Sequence, residues 1–110
     1  MKYLKSLNTG SISSSGSKEL SWTPDTRIVI KKIMISERSA SALNNVQAFI
    51  SIAAVPYTKD YVPASAIGSN PQYCYMPDAV VDKGAEIYVK LTNSTGSAVN
   101  CDIVFEVETA

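Results

Sequence analysis

The chain has 110 residues, with ten basic and ten acidic residues and no histidine. This length accommodates one hydrophobic core, and 45% hydrophobic against 18% charged residues is typical of a folded globular domain. The lack of histidine excludes Ser-His-Asp and Cys-His catalytic sets and imidazole ligation of zinc or haem, and the zero net charge argues against a nucleic-acid partner.

Residues 1–17 predict a flexible N-terminal arm ahead of a folded domain at 18–110. After position 8 the segment is rich in serine and glycine, which bury too little surface to offset the entropy of ordering. A short apolar stub precedes this tract, formed by Tyr3, Leu4 and Leu7. The stub either belongs to a disordered tail or docks on a neighbouring subunit. No apolar run follows Lys5, so a signal peptide is not expected.

From residue 18 onward, apolar and polar side chains alternate with period two, which predicts β-strands. The alternating segments, in chain order, are 18–22, 26–36, 46–53, 85–92 and 99–108. The phase of the second segment shifts by one residue at Lys31–Lys32, and this shift predicts a β-bulge because each added residue moves side chains to the other face. Residues 99–108 carry the most regular alternation in the chain.

The segment 93–97 has the length and composition of a hairpin loop, which predicts that the last two strands pair directly. No window of ten or more residues has a helical stripe. The chain is therefore expected to be all-β, an antiparallel β-sandwich, with a single jelly roll favoured over an immunoglobulin-like arrangement. Six or seven strands are predicted, so the remaining strands of an eight-stranded jelly roll would lie in 38–45 and 56–78, including a short one at 72–75.

The loop 56–77 holds four of the five prolines and four of the six tyrosines. Proline stiffens the backbone, and tyrosine offers a large amphipathic contact area at low entropic cost, a combination typical of recognition surfaces. The loop therefore predicts a subunit interface or a ligand site, with candidate contacts at Tyr57, Tyr61, Tyr73 and Tyr75. The alternative is that the tyrosines cap the open end of the sandwich with their hydroxyls in water.

Charge is distributed unevenly along the chain. Residues 1–38 hold seven basic and three acidic residues, and residues 59–110 hold three basic and seven acidic ones. Copies could associate head to tail through these halves, or neighbouring strands could pair opposite charges within one molecule. The second interpretation is favoured because cross-strand ion pairs are common.

No convergent set of catalytic groups can be assembled from the sequence, so an enzyme, a cofactor and a metal site are not expected. The acids Asp102, Glu106 and Glu108 alternate on the solvent face of the last strand, where carboxylates usually confer solubility. A hydrolase using such carboxylates is the weakest alternative. Cys74 and Cys101 have neither histidine partners nor CxxC spacing and are expected to be free, buried thiols. No apolar run reaches the length of a membrane span.

The segments 82–89, 93–96 and 99–108 carry a resemblance to a known class of proteins. The turn Asp82-Lys83-Gly84-Ala85-Glu86-Ile87 leads into a late strand, followed by a long alternating one. With Trp22-Thr23-Pro24 before the first long strand, this pattern resembles small jelly-roll virion proteins of phages and archaeal viruses, of the capsid, cement or spike type. The resemblance implies a virion component assembled in the host cytoplasm, whose partners are further copies and other virion proteins. The alternative is a module that binds carbohydrate or protein through the loop 56–77.

Overall fold

The computed structural model describes residues 1–39, 43–58, 61–70 and 72–109. They form two antiparallel β-sheets packed face to face, which confirms the prediction of an all-β sandwich. The elements, in chain order, are β1 (Lys2–Ile12), β2 (Ser17–Trp22), β3 (Ile28–Glu37), β4 (Val46–Ile52), β5 (Val55–Pro56), β6 (Val62–Pro63), α1 (Ala64–Ile67), β7 (Ala79–Val81), β8 (Ile87–Asn93) and β9 (Val99–Thr109).

The first sheet has the strand order β1-β9-β3-β7, and the second has the order β2-β8-β4-β5, with β6 also pairing with β4. The long strands β1 to β4 alternate between the two sheets, and so do β7 to β9. Each connection between them therefore crosses from one layer of the sandwich to the other. The core lies between the layers and is filled by the inward-facing side chains of both.

Strand β9 has the alternation that its sequence predicts, because every second residue from Val99 to Val107 is buried. The bulge in β3 is also confirmed: its register against β9 shifts between Ile30 and Lys32. The extra residue brings Ile33 back to the inner face, so that both halves of the strand contribute buried isoleucines.

The predicted hairpin at 93–97 is wrong, because β8 and β9 belong to different sheets. The reason lies in Asn93, whose side chain is fully buried. Its amide donates hydrogen bonds to the carbonyl oxygens of Ile12 (3.0 Å), Ser13 (3.3 Å) and Ser97 (2.8 Å). The side chain thereby fastens the β8–β9 connection to the β1–β2 connection, and both run across the same end of the sandwich.

The structure corrects the prediction of a flexible arm at 1–17. Residues 2–12 form β1, which pairs antiparallel with β9 from Lys2 opposite Glu108 to Ile12 opposite Val99. The eleven residues of β9 supply a long row of backbone partners, and local composition does not report such long-range pairing. The serine- and glycine-rich residues between β1 and β2 form a short crossing connection.

The segment 56–78 contains less regular structure than an additional long strand would require. β5 follows β4 through a two-residue turn at Ala53 and Ala54, which both have positive φ (54° and 64°). In place of the short strand expected at 72–75, two isolated bridges join Tyr73 to Asn70 and Tyr75 to Ile33. Residues 40–42, in the other stretch expected to hold a strand, lie outside the described residues.

Opposite charges pair within the chain, as the favoured interpretation of the charge distribution expects. Three ion pairs among the described residues each join the basic first part of the chain to the acidic last part: Arg27–Asp82, Lys31–Asp78 and Arg38–Asp102. All three lie at the surface, where such pairs contribute little to stability.

The two sides of the sandwich end in different strands. On one side lie the edge strands β1 and β2, which we call the open flank. On the other side lie β5 and β7 together with the loop 56–77, which we call the capped flank. The candidate contact residues are divided between the two flanks.

Candidate functional site

The loop on the capped flank is fastened to both sheets by backbone hydrogen bonds. On the side of the second sheet, the amide of Tyr57 donates to the carbonyl of Ile50 (2.8 Å), and the amide of Ile50 donates to the hydroxyl of Thr58 (3.1 Å). On the side of the first sheet, the amide of Ile33 donates to the carbonyl of Tyr75 (2.9 Å). The loop thus forms two fixed walls, one against each sheet.

Helix α1 fills the space between the two walls. Its residues Ala64 and Ile67 are buried, and the carbonyl of Ile67 accepts a hydrogen bond from the amide of Tyr75 (2.8 Å). The following residue, Gly68, accepts a hydrogen bond from the amide of Ile35 in β3 (2.9 Å). The helix therefore closes the edge of the core and forms the floor of a cleft.

Three of the four predicted loop tyrosines meet at this cleft, which has a volume of about 600 Å³. Tyr57 lines one wall, and Tyr73 and Tyr75 line the other, with Cys74 and Met76 beside them. Tyr73 is 78% exposed, so most of its ring is available to a ligand. Aromatic walls around a concave surface are typical of sites that bind small molecules or sugars.

Tyr75 contributes a hydrogen-bonding hydroxyl group to the cleft. Its hydroxyl donates a long hydrogen bond to the carbonyl oxygen of Tyr57 (3.4 Å), which links the two walls. Burial raises the pKa of Tyr75 above its ordinary value, and the neighbouring Tyr57 adds to the increase. The group therefore remains a neutral phenol at physiological pH and presents both a donor and an acceptor.

The structure does not bring Tyr61 into the cleft. Its ring lies on the outer face of the second sheet, 5.8 Å from the ring of Phe49, with the ammonium of Lys90 6.0 Å from its centroid. The ring of Tyr88 lies 6.2 Å from that of Phe49 and continues the row. We call these four residues the outer aromatic row.

The sequence interpretation did not select Phe49 or Tyr88. The available signal was their position: each is an aromatic residue at the solvent-facing phase of an alternating strand. The hydroxyl of Tyr88 donates a hydrogen bond to Glu19 on β2 (2.9 Å). Burial, followed by this bond to Glu19, raises the pKa of Tyr88 to about 12.

The stub residues Tyr3, Leu4 and Leu7 lie on β1, far along the sequence from the loop tyrosines and on the open flank. Leu7 packs against the core opposite Ile103. Leu4 is 66% exposed on the outer face of the first sheet. Tyr3 borders a smaller cavity of about 310 Å³, whose lining also includes Trp22.

Trp22, which lines the cavity beside Tyr3, carries an unusual polar atom. The indole nitrogen of Trp22 is buried and has no hydrogen-bond partner among the described residues. Its ring lies 5.6 Å from that of Phe105, and the ammonium of Lys5 lies 5.7 Å from its centroid. The contact between Lys5 and Trp22 joins β1 to β2 across the open flank.

The two cysteines differ in burial. Cys101 points into the core, where burial, followed by the nearby Glu37 and Asp102, raises its pKa to about 11. Cys74 is only partly buried beside the tyrosine cleft, which corrects the expectation of two buried thiols. A thiol with a raised pKa is a poor nucleophile at neutral pH, so Cys101 has a packing role.

Among the described residues, no cluster of three or more cysteine, aspartate or glutamate side chains could hold a metal ion. The one helix among the described residues, α1, has four residues, so no described helix could cross a bilayer. Comparison of the chain with protein-family models, with curated proteins and with solved structures gave no match.

Proposed function

We propose that the chain is a structural virion component of the capsid, cement or spike type, which assembles with further copies of itself. The observation that carries this proposal is the order in which the strands pair. β1 pairs with β9, β2 with β8, β3 with β7 and β4 with β5. The first part of the chain thus pairs with the last part along its length, like one long two-stranded ribbon.

Two further pairings, of β9 with β3 and of β8 with β4, roll this ribbon into two sheets of four strands. Eight strands wound in this way describe a single jelly roll, with β6 as a short addition beside β4. The pairing order supports the jelly roll over an immunoglobulin-like sandwich. Viral capsid proteins and lectins are frequent users of the jelly roll, which leaves two classes of function to separate.

The open flank favours the structural class. β1 is an edge strand of eleven residues, and a long unpaired edge is a template for association with another chain. Virion proteins function in assemblies, so a surface suited to self-association agrees with the resemblance that the sequence carries. The virion itself, as the location of this assembly, is part of the proposal.

The test is the mass of the purified protein in solution, measured by light scattering behind a sizing column at low and at physiological salt. We expect an oligomer of defined size whose mass changes little with salt, because backbone and apolar contacts are screened less than ion pairs. A single chain at every concentration and at both salts would contradict self-assembly.

A second candidate function is carbohydrate binding at the tyrosine cleft. The observation that favours it is the meeting of Tyr57, Tyr73 and Tyr75 around a concave surface, with the Tyr75 hydroxyl linking its two walls. Tyrosine rings stack on the apolar faces of sugars, and the hydroxyls pair with sugar hydroxyls.

A glycan array tests this second function. We expect a glycan ligand whose affinity falls at least tenfold in Tyr73→Ala and less in Tyr73→Phe, which keeps the ring. Tyr61→Ala is the matched control, because Tyr61 lies outside the cleft and should leave the affinity unchanged. An array without any bound glycan, or equal losses in Tyr73→Ala and Tyr61→Ala, would contradict carbohydrate binding in the cleft.

A further inference from the structure

The four edges of the two sheets differ greatly in length. The edge strands of the capped flank, β5 and β7, have two and three residues, whereas β1 on the open flank has eleven. Among the described residues, β1 pairs with β9 alone, so its other side presents unpaired backbone groups. Proteins usually blunt such edges by shortening or covering them, as on the capped flank, or with charged side chains and bulges; β1 keeps its full length and carries Lys2, Lys5 and a bulge near Gly10.

We propose that β1 pairs antiparallel with β1 of a second copy, so that the two first sheets join into one continuous eight-stranded sheet. This inference rests on the proposed self-assembly and names the surface that carries it. A two-fold axis would pass between the two β1 strands, since antiparallel pairing of a strand with its own copy is self-complementary. The occupant is therefore a second copy of this chain.

The bulge in β1 limits which residues can pair. The register of β1 against β9 is regular from Lys2 to Asn8 and shifts before Ser11, where Gly10 has φ of 67°. The bulge increases the local twist, so only the segment 2–8 is straight enough to accept another strand. At about 3.4 Å per residue, this straight segment is roughly 24 Å long.

Charge excludes one register within this segment, and the exposed Leu4 favours another. Centring the two-fold axis on Lys5 would place the Lys5 side chains of both copies opposite each other, and directly opposed like charges destabilise a sheet. Centring it on Leu4 places the two leucines together and Tyr3 opposite the partner strand's lysine at position 5. That register forms an apolar pair and does not set the two Lys5 side chains directly opposite each other.

The remaining charges of β1 do not oppose this arrangement. Lys2 lies opposite Glu108 of β9 within its own chain, so its charge has an acidic neighbour before any second copy approaches. Leu4, which lies opposite Glu106, is 66% exposed and would lose part of this exposure against its copy. Burial of an exposed leucine at a strand pair favours association through the hydrophobic effect.

Cysteine cross-linking tests the register. In Leu4→Cys, the two new thiols would lie directly opposite each other, and we expect mild oxidation to convert most of the protein to a covalent dimer. Ser6→Cys is the matched control, because in the same register its two thiols lie four residues apart along the strands, about 14 Å. The wild-type protein controls for reaction of Cys74 and Cys101. No cross-link in Leu4→Cys, or equal cross-linking in Ser6→Cys, would overturn the proposal.

A charge substitution tests the association itself. Leu4→Lys would set lysine against lysine at the two-fold axis, and we expect at least a tenfold weaker self-association by light scattering. Val80→Lys is the control: Val80 is also exposed (53%), lies on the edge strand β7 of the capped flank, and should leave the association unchanged. Circular dichroism would verify that both variants remain folded.

The outcomes separate this inference from the proposed function. An oligomeric wild type whose mass Leu4→Lys leaves unchanged would refute pairing through β1 and leave self-assembly through another surface. A wild type that is a single chain at all concentrations would refute both, and would leave the edge free for a strand of a different protein.

Discussion

The open and capped flanks of the sandwich solve the same physical problem in different ways. Each sheet ends in a strand whose outer backbone groups need partners or water. On the capped flank these strands are two and three residues long, and the loop 56–77 is hydrogen-bonded to the neighbouring strands β3 and β4. On the open flank the edge strands β1 and β2 have eleven and six residues and no such cover among the described residues.

This difference separates two roles that a small domain can carry. A covered edge cannot pair with another strand, but the covering loop presents side chains, and here it presents three tyrosines around a cleft. An uncovered edge presents backbone, which suits association with a second chain. A domain of this size can therefore use one flank for a ligand and the other for assembly.

The largest predicted effect is at the end of the open flank, where Asn93 joins two connections. Asn93→Ala removes a buried amide and leaves the carbonyl oxygens of Ile12, Ser13 and Ser97 without its hydrogen bonds. Each unsatisfied buried group costs about 1–3 kcal/mol, so we expect the free energy of unfolding to fall by about 4 kcal/mol. Urea denaturation measures this loss.

Asn8→Ala is the matched control for Asn93→Ala. The amide of Asn8 also makes three hydrogen bonds, to Asn100, Cys101 and Asp102, but Asn8 is exposed and water can replace them. We expect a loss of about 1 kcal/mol. Equal losses in the two variants would show that burial of Asn93 does not hold the open flank together.

The next largest effect is on the capped flank, at Gly68. This residue has φ of 85° and ψ of 162°, a conformation that is essentially restricted to glycine. A Cβ atom there would lie 2.5 Å from the carbonyl oxygen of Tyr73, which is backbone and cannot rotate away. We expect Gly68→Ala to cost about 3 kcal/mol and to displace Tyr73, with loss of any ligand that the cleft binds.

Gly84→Ala separates the two causes of this loss. Gly84 has nearly the same φ (83°), but a Cβ atom there would meet nothing within 4 Å. Its substitution should cost only the backbone strain, about 1 kcal/mol. If Gly68→Ala were no more destabilising than Gly84→Ala, the close approach between Gly68 and Tyr73 would have no energetic role.

The sequence predicted the strands whose partners lie on both sides and missed most of those at the edges. Central strands such as β8 and β9 are buried on one face along their whole length, so alternation is visible in their residues. β5 escaped prediction because its turn is formed by Ala53 and Ala54 at positive φ, where Asn-Gly would be the usual signal. β1 escaped because its composition changes to serine and glycine at its end.

The sequence also predicted only part of the candidate site. Composition selected all four tyrosines of the loop, and Tyr57, Tyr73 and Tyr75 do lie around one cleft. The position of Tyr61 depends on the face of the second sheet along which the loop runs. The spacing of residues within the loop does not encode this. The outer aromatic row joins Phe49, Tyr61, Tyr88 and Lys90 from three separate parts of the sequence, so only the strand register brings it together.

The smallest predicted effect concerns acid and again the open flank. The carboxylate of Asp102 accepts hydrogen bonds from Arg38 (3.0 and 3.2 Å) and from Asn8 on β1 (2.9 Å). The bond from Arg38 is the main cause that lowers the pKa of Asp102 below 3.8, and burial opposes it. Because the pKa is lower in the folded state, the ionised group stabilises the fold above the unfolded value.

This stabilisation should therefore be present at neutral pH and disappear as the pH falls through the lowered pKa of Asp102. The difference in unfolding free energy between the wild type and Asp102→Asn measures it, and we expect that difference to approach zero once the pH lies below the lowered pKa of Asp102. Asp25→Asn, in the exposed β2–β3 connection, is the control for the loss of one surface carboxylate. Since Asn8 connects this carboxylate to β1, acid should loosen the open flank before the capped one, and amide exchange in β1 should rise ahead of exchange in β7. Simultaneous exchange in both strands would mean that the two flanks unfold as one unit, although their edge strands differ in length and cover.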